Sequence, residues 1–390
     1  MIDRENMQAT LLDLLAIPSP CGLTDEIIRY IAGALRELEV EFQITRRGTI
    51  RARLAGSGDE DDHIARAVVN HVDSIGAMVR MIKPDGRLSL VPIGYWSSRF
   101  AEGARVTIFS DQGTFRGTLL PILNWNVSRD RGVEDVAISW DTIELRVDEP
   151  VFSADDVRRC GISVGDYIAL DPVAEALPNG YIVGRNIDNK AGAAAVLAAI
   201  RQIKQQNLTL PRDIYVLFTV TETIGSGSGS AILPDISELV TVDFASIPPS
   251  EKSPFKRVTI ASGDAAGPYD FHLTGHLQKL AQEKGIPYQR KVLEASHNDA
   301  ASALAAGHDV RTAVITYAGD ASHSLERTHI ESLENVARLL IAYMTSQPAF
   351  EHDPSVTTVD KFTQQIDTSV MPRPATLTPD PAALIRRNRD

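Results

Sequence analysis

Short apolar runs that each stop at a chemically capable polar residue constrain this chain more than any other feature. Residues 214–220 (IYVLFTV) run straight into Glu222 and the glycine-rich turn GSGSGS. Residues 67–69 lead into NHVDSIG, which carries His71 and Asp73; VTVDF ends on Asp243 and Phe244; residues 312–317 precede ASHSLERTH, which carries His323. RNIDNKAG, with Asp188, opens an alanine-rich helix. A carboxylate at the exit of a buried strand, beside backbone that can bend closely, is well placed over a reaction centre. His, Asp, Glu and His delivered from separate strand ends are what a metal site at the edge of an α/β sheet needs.

The pattern along the chain predicts one domain interrupted by another. Thr24 reads as a helix N-cap with Asp25 and Glu26 in the first turn. Ile27, Ile28, Ile31, Leu35 and Leu38 then mark one helical face. Residues 42–54 and 67–71 read as strands. From about residue 80 to 176 short β-like pieces take over, at 88–93, 104–109, 114–119, 142–147 and 167–170, with turns such as 111–113 between them. That is a β-rich domain set into an α/β domain. Helix–strand alternation resumes at Asp188, with helices over 191–206, 270–284, 299–306 and 331–345 and strands over 214–220, 239–244 and 312–317. The expected divisions are 1–80 and 177–349 for the α/β domain, 81–176 for the insert, and 350–390 for a tail. The tail is polar and carries Pro354, Pro372, Pro374, Pro379 and Pro381. It reads as loosely ordered, or as a strap over another subunit. Trp96, Phe100 and Phe109 suggest exposed apolar edges on the insert that would profit from burial.

Composition narrows the partners. The formal net charge of −12 argues against nucleic acid or an anionic membrane surface. No apolar run approaches the ~20 residues of a spanning helix. The N-terminal stretch reads as an acid-bearing amphipathic helix without the features of a signal peptide. Only Cys21 and Cys160 occur, too few for a disulfide framework or a cysteine zinc site, which points to a reducing cytoplasm.

Each candidate residue has a plain reading when taken alone. On a strand His71 and Asp73 point the same way, so the aspartate can accept the imidazole's second N–H while the other nitrogen binds metal. The pair alone is more readily a polar strand end in a satisfied network. Asp188 alone is a helix cap, Asp243 a turn acid and His323 a loop residue. Their order and their shared placement at strand ends carry the metal reading.

The chain resembles the glutamyl, deblocking and tetrahedral aminopeptidases, a family of dinuclear metallopeptidases, over about residues 10–345. The likeness rests on IPSPCGLTDEI, the strand-end H-x-D, the D-x-K-x-G helix start, the T-x-x-E turn and the late histidine. LVPIGYWSSRFAEGARVTIF and NDAASALAAG resemble a cytoplasmic branch associated with the osmolyte N-acetylglutaminylglutamine amide. The resemblance implies a mixed-sheet, three-layer zinc-exopeptidase-like α/β domain with a barrel-like dimerisation insert, assembling from dimers up to a dodecamer. It implies that His71, Asp188 and Asp243 hold one divalent cation, and that Asp188 bridges to a second held by His323. Zinc comes first, with cobalt, manganese or magnesium as alternatives. Asp73 would support catalysis beside His71, Glu222 would act as general base, and Asp299 would line the site without touching the metal.

Two positions depart from the family pattern. Thr223 stands where a second glutamate usually ligates the His323 metal, and a neutral hydroxyl is a poor ligand beside a carboxylate. One tight and one weak site are therefore expected. Asn189 stands where an acid is common next to the bridging aspartate. The reading is a metal-dependent hydrolase of amide bonds in short peptides or peptide-like amides. The alternative is a catalytically weakened or inactive relative serving as a binding or structural assembly protein. A glycosidase would need two carboxylates flanking a sugar, which fits poorly with the histidines here.

Overall fold

The computed structural model describes residues 2–58, 64–122, 137–247 and 254–350, with residues 353 and 356–358. It separates into two units, Met1–Ala349 and Phe350–Asp390. The expectation of a loose tail or strap falls on the second unit, nearly all of which lies outside the described residues.

The first unit is a mixed α/β fold around a twelve-stranded sheet. At its centre β3 (Ala65–His71) runs parallel to both β12 (Ile214–Thr219) and β13 (Ile236–Ser246), and β13 runs parallel to β17 (Arg311–Asp320). These are the apolar runs singled out in the sequence. Every residue of β3 is buried. Its side chains alternate, as a pleated strand requires: Val68 faces the larger core, while Ala65, Ala67 and Val69 face the smaller one. Residues 42–54 form a hairpin rather than one strand, with β1 (Glu41–Ile44) pairing β2 (Ile50–Leu54) and β2 pairing β12.

Beyond β17 the sheet continues through elements with little apolar signal. β18 (Glu326–His329), β11 (Tyr181–Gly184) and β10 (Glu175–Ala176) extend it on one path. β14 (Val258–Asp264) pairs with β17 on the other, and carries β15 (Gly267–Pro268) and β16 (Tyr288–Leu293).

Helices cover both faces, giving three layers. α1 (Arg4–Ala16), α4 (Ile187–Gln205) and α7 (Ile330–Thr345) pack together over the larger core, joined by α2 (Asp25–Glu37) and α5 (Phe271–Glu283). The alanines of α4 let it sit close against the sheet and its neighbours; Ala191, Ala193, Ala194, Ala195 and Ala199 are each fully or almost fully buried. α6 (Asp299–Ala305) lies on the opposite face. The α2 face is buried as predicted, but Thr24 is not a side-chain cap. Its backbone, at φ −118° and ψ 7°, lies outside the extended region that aims a cap hydroxyl at the first turn, and no such bond forms.

Between β3 and β10 the chain builds a closed antiparallel barrel. Its strands in order around the ring are β4 (Gly76–Ile82), β5 (Leu88–Ile93), β8 (Ile143–Val147), β7 (Gly113–Pro121), β6 (Arg105–Ser110) and β9 (Tyr167–Leu170), with α3 (Ala154–Arg159) alongside. Inward residues such as Val79, Leu90, Val106, Leu119, Leu145 and Ile168 fill it. Closure pairs the strand edges that an open sheet would leave exposed. The expectation of an exposed Trp96 is therefore corrected. Trp96 is 7% exposed, its indole N–H donates to the Gly76 carbonyl at 3.0 Å, and its ring packs edge-on against Trp140. Phe109 is half-buried, while Phe100 stays exposed.

Candidate metal centre

Parallel strands deliver their C-terminal ends to one edge of the sheet, and the polar residues singled out above gather there. His71 closes β3 and lies in register with Thr219, the last residue of β12, from which the chain turns to Glu222. Asp243 sits near the end of β13. Asp188 enters from the opening of α4, where the backbone is still non-helical at Asp188 and Asn189 and the peptide between them is cis. His323 comes from the loop between β17 and β18, in the left-handed region at φ 62°.

One ligand atom from each of His71, Asp188 and Asp243 can be chosen so that all lie within 4.8 Å of one another. His71 Nε2 is 3.4 Å from Asp188 Oδ1, 3.6 Å from Glu222 Oε2 and 3.9 Å from Asp243 Oδ1. His71 Nδ1 lies 3.1 Å from the Asp73 backbone carbonyl, which can only accept, so Nδ1 carries the proton and Nε2 offers its lone pair to the cluster. His323 is arranged in the same way: Nδ1–H donates to the Tyr95 carbonyl at 2.8 Å and Nε2 faces Asp188 Oδ2 at 3.6 Å. Each oxygen of Asp188 thus faces one imidazole, the disposition of a bridging carboxylate. Asp188 Oδ1 is buried without a hydrogen-bond partner. An orphaned buried carboxylate oxygen between two oriented imidazoles fits a divalent cation.

Asp73 departs from its expected contact. Its backbone carbonyl, not its carboxylate, takes the imidazole N–H; the carboxylate oxygen is 3.6 Å away from Nδ1. The carboxylate is engaged by the 222–223 turn instead. It accepts the Glu222 N–H at 3.2 Å, the Thr223 N–H at 3.1 Å and the Thr223 hydroxyl at 2.6 Å. The Thr223 hydroxyl is therefore spent on Asp73.

Asn189 is wholly buried, donates its amide to the Val242 carbonyl at 2.8 Å and accepts from Tyr317 at 3.1 Å. It ties the Asp188 turn to the strand carrying Asp243, and an aspartate there could not donate to that carbonyl. Asp299 is 1% exposed; Oδ2 accepts from Thr219 at 3.1 Å and Oδ1 has no partner. Gly227 lets α6 approach this closely, because a Cβ there would lie 2.7 Å from Asp299 Oδ1. Sequence reasoning missed Glu326, a buried carboxylate that accepts backbone N–H groups from both Asp188 and His323. Its signal was only a glutamate three residues beyond the late histidine.

The electrostatics show an excess of buried acid. Burial, helped by Asp188, raises Asp243 to about 8. Burial with the same neighbour raises Glu326 to about 8, and burial with Asp73 nearby raises Asp299 to about 7. Burial lifts Glu222 well above the usual carboxylate range, against the pull of His71. Asp188 goes the other way: despite burial, His323 and His71 hold it low. Burial opposes charge on both imidazoles, yet the carboxylates outweigh it and raise His71 and His323. A bound cation would lower the raised carboxylates and displace the protons from the imidazoles, and would hold Asp188 ionised.

Comparison with known proteins finds relatives over most of the chain. The pattern describing the M42 glutamyl aminopeptidases matches residues 48–339. The YhfE protein of Bacillus subtilis (strain 168), whose name gives it as a candidate aminopeptidase, is 36% identical over 336 residues, covering 86% of this chain and 96% of its own. The lysyl aminopeptidase of Pyrococcus furiosus is 26% identical over 253 residues, covering 64% and 68%. Among solved structures, a TET aminopeptidase from a marine sediment Thaumarchaeota archaeon superimposes with TM-score 0.78 at 19% identity, covering 87% of this chain and 96% of its own. The TET1 peptidase of Pyrococcus horikoshii, titled as able to assemble into a tetrahedron or a large octahedral shell, gives 0.76 at 19% identity, covering 87% and 99%.

Proposed function

This chain belongs to the M42 glutamyl aminopeptidase family, and from that premise we propose that it is a metal-dependent hydrolase of amide bonds in short peptides or peptide-like amides. The observation that carries the reading is the convergence of His71, Asp188 and Asp243, with ligand atoms within 4.8 Å of one another around an orphaned carboxylate oxygen. These residues would hold the tighter cation, zinc first. His323, sharing Asp188, would hold a weaker one. When bound, such a cation polarises the scissile carbonyl and makes an adjacent water more acidic.

The remaining steps belong to side chains. Glu222 takes the water proton and returns it to the leaving amine; its carboxylate lies 3.6 Å from the His71 ligand atom and is held there by the 222–223 turn. Asp73 positions Glu222 through the three hydrogen bonds of the 222–223 turn. Because Thr223 spends its hydroxyl there, it leaves the His323 side one anion poorer. The barrel is the surface on which subunits would meet. Among the described residues no helix is long and apolar enough to cross a membrane, in keeping with a cytoplasmic place of action. The narrower likeness to the osmolyte-associated branch rests on its two sequence stretches alone.

Calorimetric titration of the metal-stripped protein with zinc tests this. Two sites of unequal affinity are expected, and Thr223→Glu should tighten the weaker. Two equally tight sites in the wild type, or no effect of the added glutamate, would contradict the account of Thr223.

A further inference from the structure

Glu326 opens β18, and the antiparallel register sets it opposite Gly184, the last residue of β11. From Gly184 the chain runs directly into the turn that carries Asp188. From Glu326 it runs back, within three residues, to His323. The side chain is 1% exposed and divides its oxygens between the two ligand-bearing segments. Oε2 accepts the Asp188 N–H at 3.1 Å and Oε1 accepts the His323 N–H at 2.9 Å. His323 needs such a hold, because its φ of 62° is a conformation that non-glycine residues seldom adopt unless their surroundings impose it.

We propose that Glu326 is a positioning residue for the metal centre, a carboxylate clamp that sets Asp188 and His323 at the spacing a second cation requires. The assignment rests on the metal reading above. The residue type follows from the geometry. Two N–H donors approach from two directions, and only a carboxylate offers an acceptor to each; a glutamine would accept one and turn its own N–H toward the other. Burying a carboxylate is costly, and a residue needed only for packing could be apolar. The clamp bears unevenly on the centre. It holds Asp188 and His323, the two residues of the weaker site, but only Asp188 of the tighter one; His71 and Asp243 stand on β3 and β13, which Glu326 does not touch by any described hydrogen bond.

The side chain's uneven reach makes the test selective. Glu326→Gln keeps size and shape and puts an N–H donor where one acceptor oxygen stood. The full-length variant and the wild type are stripped of metal, melted as apoproteins, and titrated calorimetrically with zinc. The expected result is an apoprotein that folds like the wild type, a weaker site lowered ~10–100-fold, the usual cost of losing a group that orients metal ligands, and a tight site lowered less. An unchanged weaker site, or equal weakening of both, overturns the assignment. An apoprotein that no longer folds also overturns it, because the carboxylate would then be holding the fold and not the ligands. A wild type without a second site removes the underlying metal reading, and this assignment with it, before the variant is compared.

Discussion

Glu222 and His71 illustrate how single residues acquire chemistry from their neighbours. His71 is an ordinary strand-end imidazole until the Asp73 carbonyl fixes its proton on Nδ1 and three carboxylates crowd Nε2. Glu222 is held over the same atoms by a turn locked onto Asp73. If it moves protons, Glu222→Gln should keep the metal content and lose turnover by ~10²–10⁴-fold. Metal analysis beside a rate measurement decides this; loss of metal would make Glu222 a ligand instead. Thr223 shows the opposite case, in which the residue stands out in the sequence but its partner could not be foreseen. The sequence placed Thr223 beside Glu222. Only the fold shows that Asp73, far away in the chain, takes its hydroxyl.

Whole elements were legible where burial imposed a period or an unbroken apolar run. β5 and β9 match the expected 88–93 and 167–170 to the residue, and α5 lies within a residue of each expected end. The missed strands include β4, β14, β16, β11 and β18, with the two-residue β10 and β15. β14 is mixed in composition (VTIASGD), β16 is charged and mostly half-exposed, and β11 and β18 owe their place to pairing partners rather than to their own apolarity. Five of the six barrel strands were legible but β4 was not, and the ring was implied only by the resemblance, because closure depends on β4 meeting β9, which no local pattern encodes. The barrel exposes Met81, Val91 and Phe152, at 50%, 43% and 81%. Their burial between subunits is the physical motive for placing the oligomer contact there. Light scattering should find an assembly larger than a monomer, and Val91→Lys should reduce its mass; a wild-type monomer would end the oligomer proposal.

For the molecule as a whole the buried acids couple folding, protons and metal. Asp243 and Glu326, near 8, and Asp299, near 7, hold protons in the folded state that they release near pH 4 when unfolded. The folded state then binds more protons than the unfolded one, so stability falls as pH rises through this interval. The raised imidazoles of His71 and His323 act in the same direction, while the lowered Asp188 is ionised in both states at these pH values and adds no slope. Metal-free protein should therefore melt at a lower temperature at pH 8 than at pH 6, and zinc should narrow that gap by binding the deprotonated groups. A higher melting point at pH 8 without metal would contradict this account of the buried acids. The most direct test of the central claim is turnover itself. Protein stripped of metal should be inactive on a panel of aminoacyl anilides and should regain activity as zinc is restored. Full activity in the stripped protein, or none on any substrate at any zinc level, would contradict it.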